Sequence, residues 1–199
     1  RIRKGTIDSF GKTLKPLLFA LAAVSVAIVG VQSDLGSAGV MIAMMATMAY
    51  VAGLPLGRIA LISAIVAVGL VIAISSTPYR RERFQSYLNP EANCQTTGYQ
   101  ACQALIAVGS GGAIGLGLGS SVQAYGYLPE AANDSIFAIY AEKFGFIGSV
   151  VLLSVFVAFF ARLKKIAENL PDDFSRLLVT GTLAWLSVQA LINIGAMIG

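Results

Sequence analysis

Three carboxylates, Glu130, Asp134 and Glu142, lie within the stretch 127–148, at the lip of an apolar segment. Ionisable groups beside a membrane segment cost stability unless they are paired or used, so chemistry is expected here first. A carboxylate at such a place can abstract a proton or hold a sugar. Upstream, Pro78-Tyr-Arg80-Arg-Glu-Arg83 concentrates three guanidinium groups, whose planar forks match phosphate oxygens two at a time. Cations and carboxylates on one loop suggest a phospholipid-like or polyprenyl-phosphate substrate with a polar head.

The elements that must position these residues are membrane helices. The chain is 56% hydrophobic and 12% charged over 199 residues, and its mean hydropathy is +0.76. That composition excludes an ordinary soluble domain. Basic patches interleaved with aromatics are absent, so the net charge of +4 points to topology and not to nucleic acid. With no His and only two cysteines, a Cys/His metal framework is excluded. Cys94 and Cys102 are read as two unpaired thiols unless both face an oxidising compartment, where they could join. The chain opens on Arg1-Ile-Arg3-Lys4 without an initiator Met or a signal peptide and stops in an apolar run, which reads as an internal fragment.

The expected fold class is all-α: a polytopic bundle forming part of a single membrane domain over 1–199. Apolar runs predict spans at about 16–31, 35–53, 59–76, 142–161 and 174–197, with one large extracytoplasmic loop over 77–141. The uncertain piece is Tyr99–Gly119, apolar but holding six glycines. Parity decides it. If this piece does not span, residues 1–15, Arg58, Arg162, Lys164, Lys165 and Arg176 are all cytoplasmic, which is ten of the fourteen basic residues. Tyr99–Gly119 is therefore expected to be re-entrant or packed on the bundle, because glycine-rich backbone at membrane depth needs protein cover.

Read in series, the motifs resemble the SEDS family, the FtsW/RodA/SpoVE membrane proteins of bacterial cell-wall synthesis. The resemblance runs through Gln32-Ser-Asp34-Leu-Gly36-Ser37, Pro78-Tyr-Arg80-x-x-Arg83, Asn89-Pro90 and Gly98-Tyr-Gln100. It continues through Gly109-x-Gly111-Gly112, Gly115-x-Gly117-x-Gly119-x-x-Val-Gln123, Tyr127-Leu-Pro-Glu130 and Asp134-x-Ile-Phe137, and ends at Glu142-x-x-Gly145 and Gln189-x-x-x-Asn193-x-Gly195. It covers nearly the whole chain. The resemblance implies a bundle of ten spans in the bacterial cytoplasmic membrane, of which about five lie here. It also implies a glycosyltransferase that polymerises lipid II, a polyprenyl-pyrophosphate disaccharide-peptide, at the outer face. The implied partners are a class B penicillin-binding protein and divisome proteins. Wording in the loop is closer to the division member of the family than to the elongation member. A lipid II flippase and a non-catalytic scaffold for the transpeptidase are the competing readings, and the fragment alone is expected to be inactive.

The same resemblance assigns roles. Asp134 becomes the general base, with the competing reading of a helix N-cap before Ser-Ile-Phe. Arg80 and Arg83 become pyrophosphate ligands, or else headgroup anchors paired with Glu82 and Glu91. Gln32, Asp34, Gln100, Gln123, Glu130 and Glu142 become substrate-binding residues, although Glu130 and Glu142 could instead satisfy helix ends or Lys143. The chain departs from the family pattern at Ser33, where Pro is usual, at Ser135, where Phe is usual, and at Lys143, where a second Glu is common. If that second Glu holds a divalent cation in relatives, Lys143 puts such a site in doubt here.

Overall fold

The computed structural model describes residues 35–75, 94–95 and 98–199. Their regular structure is helical, with no strand among the described residues: α1 (Leu35–Val51), α2 (Leu56–Ser75), α3 (Tyr99–Gly111), a single 3₁₀ turn (Gln123–Tyr125), α4 (Ile136–Asn169) and α5 (Asp173–Ile198). Helices α4 and α5 are both long and apolar enough to cross a membrane. The expected span at 16–31 lies outside the described residues. Helix α4 begins at Ile136, ahead of the expected start at Glu142.

The chain divides into two compact units. In the first, α1 stops where Gly53 takes a positive φ of 96°. The Gly53 N–H donates to the Tyr50 carbonyl at 3.0 Å and the Leu54 N–H to the Ala49 carbonyl at 3.0 Å. This is the Schellman arrangement, which satisfies the last carbonyls of a helix. Pro55 follows, and its carbonyl accepts the Arg58 N–H that starts α2. Leu54 is buried and, with Ile42, Met45, Ala49, Ile59 and Ile62, lines an apolar crevice. Gly181 of α5 lets that helix approach Met48 closely, as small residues do between membrane helices. Asp172 caps α5, accepting the Ser175 N–H at 2.9 Å and the Ser175 hydroxyl at 3.0 Å. The Ser175 N–H first, then its hydroxyl, hold the Asp172 carboxyl below its ordinary value.

In the second unit, Ala104 and Ala107 of α3 are wholly buried against Leu128, Phe137, Ala138, Ile139 and Met197. The stretch expected to be packed or re-entrant is thus a 13-residue helix followed by a glycine-rich loop. That loop is bonded into a break in α4. At Gly145 the helix takes φ 66° and ψ −165°, outside helical space. An unbroken helix would join the Phe146 N–H to the Glu142 carbonyl and the Ile147 N–H to the Lys143 carbonyl. Instead, those carbonyls accept from the Leu116 and Gly117 N–H groups at 2.9 and 3.0 Å. The freed Phe146 and Ile147 N–H groups donate to the Gly112 and Ala113 carbonyls at 2.9 and 3.1 Å. Broken backbone inside a membrane helix persists only when neighbouring protein satisfies it in this way.

Gly115 and Gly145 make the contact possible, each lying against the other's backbone. A Cβ on Gly115 would collide with the Lys143 carbonyl and the Gly145 backbone, and φ there is +82°. Gly117 has nearly the same φ, +84°, but open space around it. Gly117→Ala is therefore expected to cost only the backbone strain of a positive φ, about 1 kcal/mol. Gly115→Ala adds a backbone collision and should cost at least about 3 kcal/mol, or prevent accumulation in membranes. Thermal unfolding of the two variants in detergent, side by side, measures the difference.

Candidate functional site

The first cluster is built on Glu142, which sits in α4 one turn before the break and is 1% exposed. A buried carboxylate needs donors for its lone pairs. The Ser121 hydroxyl donates to Oε2 at 2.5 Å, and the Val122 and Gln123 N–H groups donate to Oε1 at 2.9 and 3.2 Å. Those N–H groups belong to the start of the 3₁₀ turn, where donors lack partners and an anion is favoured. Glu142 therefore pins the far end of the loop whose near end is bonded to the break. Gln123 is 8% exposed, and its Oε1 is a buried acceptor without a partner among the described residues.

The second cluster is the turn 127–135, which carries Asp134. Glu130 holds a positive φ of 52°, the one non-glycine residue to do so among the described residues. Its carbonyl accepts the Asn133 and Ser135 N–H groups at 2.9 and 3.2 Å, and its carboxylate accepts the Asn133 amide at 2.6 Å. Ser135 is fully buried; its hydroxyl donates to the Pro129 carbonyl at 3.0 Å and accepts from Gln100 Nε2 at 3.1 Å. The Tyr99 hydroxyl donates to the Tyr127 carbonyl at 2.9 Å. Asp134 itself is exposed, and its carboxylate takes no hydrogen bond among the described residues. In the first turn of α4 the Ile136 N–H donates to the Asn133 carbonyl, and those of Ala138 and Ile139 donate to the Ser135 carbonyl. Asp134 is thus not the side-chain cap that its position before Ser-Ile-Phe suggests.

The structure therefore brings together Gln123 with Glu142, and Gln100 and Glu130 with the backbone on either side of Asp134. Arg80, Arg83, Gln32 and Asp34 lie outside the described residues. Cys94 and Cys102 correct the expectation of free thiols: they form a disulfide, with Cα atoms 5.5 Å apart. Cys102 lies in the first turn of α3, and its N–H donates to the Gly98 carbonyl at 2.9 Å. No group of three or more His, Cys, Asp or Glu side chains able to hold a metal ion occurs among the described residues. Two positions carry more than their sequence signals announced. Ser121 lies in the Gly-Ser-Ser-Val-Gln run, which reads as family wording and not as a partner for Glu142; Ser135 was visible as a departure, but not as a buried hydrogen-bonding hub.

Comparison with known proteins gives concordant matches. The family model described as cell cycle protein, covering FtsW, RodA and SpoVE, matches residues 3–199. The chain is 40% identical over 185 residues to the probable peptidoglycan glycosyltransferase FtsW of Saccharophagus degradans, covering 92% of this chain and 48% of that protein. It is 36% identical over 197 residues to stage V sporulation protein E of Bacillus subtilis, covering 99% of this chain and 51% of that protein. A chain in the solved structure of a peptidoglycan synthase complex that coordinates polymerization and crosslinking superposes with a TM-score of 0.68 at 27% identity. That match covers 90% of this chain and 50% of the other. The chain spans about half the length of the curated relatives it matches.

Glu142→Gln keeps size and shape but presents an amide to three donors. With one acceptor oxygen in place of two, at least one buried donor loses its partner, at a cost of about 1–3 kcal/mol. Chemical unfolding of the detergent-solubilised variant measures this, and wild-type stability would show that Glu142 does not anchor the loop.

Proposed function

The chain belongs to the FtsW/RodA/SpoVE family of cell cycle proteins, and from that membership we propose that it serves as a peptidoglycan glycosyltransferase that polymerises lipid II during cell division. Several relatives carry the name probable peptidoglycan glycosyltransferase FtsW, which supports both the activity and the division role over elongation. In this reading the chain supplies five of about ten spans in the cytoplasmic membrane, and the loop 77–141 faces outward. The disulfide between Cys94 and Cys102 supports that side, because such bonds persist in oxidising compartments.

Asp134 is the general base. It removes the proton from the acceptor sugar hydroxyl as that oxygen bonds to the donor's anomeric carbon, and the bond to the polyprenyl pyrophosphate breaks, the electron pair leaving with the phosphate. One carboxylate suffices because the leaving group is already a good anion, unlike the paired acids of glycoside hydrolysis. The observation that carries this reading is the contrast between the acids. The carboxylates of Glu142 and Glu130 are engaged by protein donors, whereas that of Asp134 is exposed and takes no hydrogen bond among the described residues, on a turn fixed at both ends. Arg80 and Arg83 are the pyrophosphate ligands, and Gln32, Asp34 and Gln123 contribute to holding substrate. The match to a chain of a synthase complex supports a penicillin-binding transpeptidase as partner.

The test is polymerisation of purified lipid II by the full-length protein with its partner. Asp134→Asn is expected to lower the rate by ~10²–10⁴-fold while the protein still folds and inserts. Glycan formation by that variant at the wild-type rate would remove Asp134 from the chemistry. Movement of labelled lipid II across sealed vesicles that survives loss of Asp134, with no polymer formed, would favour transport instead.

A further inference from the structure

We propose that Gln100 is a positioning residue for Asp134, acting through Ser135; the inference rests on the reading of Asp134 as the general base. Asp134 is exposed and has no side-chain hydrogen bond among the described residues, so among them its carboxylate is placed by the backbone around it. On its C-terminal side that backbone is Ser135, 0% exposed, whose polar groups are all engaged. The Ser135 N–H donates to the Glu130 carbonyl, its carbonyl receives the Ala138 and Ile139 N–H groups of α4, and its hydroxyl donates to the Pro129 carbonyl. That last bond closes the turn across which Asp134 is presented.

A serine hydroxyl rotates to suit its surroundings, and something must hold it toward Pro129. Gln100 Nε2 does so, occupying the acceptor side of Oγ from 3.1 Å and leaving the hydroxyl proton for the carbonyl. Gln100 is itself well anchored. It lies in the first turn of α3 between Tyr99, bonded to the Tyr127 carbonyl, and Cys102, cross-linked to Cys94. The structure thus builds a relay from the disulfide-pinned helix end through an amide and a buried hydroxyl to the residue beside the base.

Productive geometry at a reacting centre is sensitive to small displacements, so loosening the turn should lower turnover with little effect on substrate capture. In full-length protein assayed with purified lipid II, Gln100→Ala is expected to reduce kcat about 10- to 100-fold with KM within about twofold of wild type. Ser135→Ala removes the bond to Pro129 as well as the bond from Gln100 and should lose at least as much, and the double variant should lose no more than Ser135→Ala alone, because the Gln100 bond is already absent there. In the Asp134→Asn background, Gln100→Ala should leave the residual rate unchanged, whereas a residue that merely supports the fold would lower it further. Gln100→Glu, nearly isosteric, removes the donor without opening space and should show the same loss if Gln100→Ala fails to accumulate. Wild-type kcat in the Gln100 variants, or independent multiplication of the Gln100 and Asp134 effects, overturns the proposal while leaving the base assignment standing. A wild-type rate for Asp134→Asn alone overturns the base assignment instead.

Discussion

The structure depends on one exchange of backbone hydrogen bonds. Helix α4 gives up two internal bonds at Gly145 and receives four from residues 112–117 in return. In a hydrocarbon environment each unsatisfied peptide group costs several kcal/mol, so a break of this kind and the loop that heals it must form together. The consequence is a glycine loop held against α4 by backbone bonds, which a helix alone could not carry. Glycine at 115 and at 145 is required because the two backbones touch.

From that exchange the rest of the candidate site follows. The break sets Glu142 at the end of a complete helical turn, where its carboxylate reaches the 3₁₀ turn and fixes the loop a second time. The loop then leads through Leu128, buried against Phe137 and Ala138, into the turn that presents Asp134. Three acids that look equivalent as a cluster are separated by their surroundings. Glu142 is structural in its contacts, Glu130 closes a turn on Asn133, and Asp134 is exposed without a side-chain hydrogen bond among the described residues. This division of labour is what a single-base glycosyl transfer would use.

Much of this was legible in the sequence, for identifiable reasons. Long apolar runs bounded by basic flanks announce membrane helices, because the bilayer tolerates little else. The motif series from Gln32 to Gly195 pointed to the family that residues 3–199 match. The glycines between 109 and 119 marked backbone that needs partners, and residues 112, 113, 116 and 117 find theirs in α4. What could not be read was the pairing itself. Residues 112–117 and 142–147 are remote along the chain, and a hydrogen bond between peptide groups leaves no side-chain pattern to find. Ser135 illustrates the same limit, since its role depends on Gln100, thirty-five residues away. The cysteine spacing likewise says nothing about whether α3 begins where the two Cα atoms approach to 5.5 Å.

The central claim is that the break in α4 and the glycine loop form one backbone unit. Amide hydrogen exchange on the full-length protein in lipid nanodiscs, resolved at Leu116, Gly117, Phe146 and Ile147, tests it directly. All four N–H groups should be protected as strongly as those of Ala104 and Ala107 in the core of α3, since stable burial and bonding set exchange. Exchange of Leu116 and Gly117 at the rate of an open loop, with Phe146 and Ile147 protected as in a continuous helix, would contradict it.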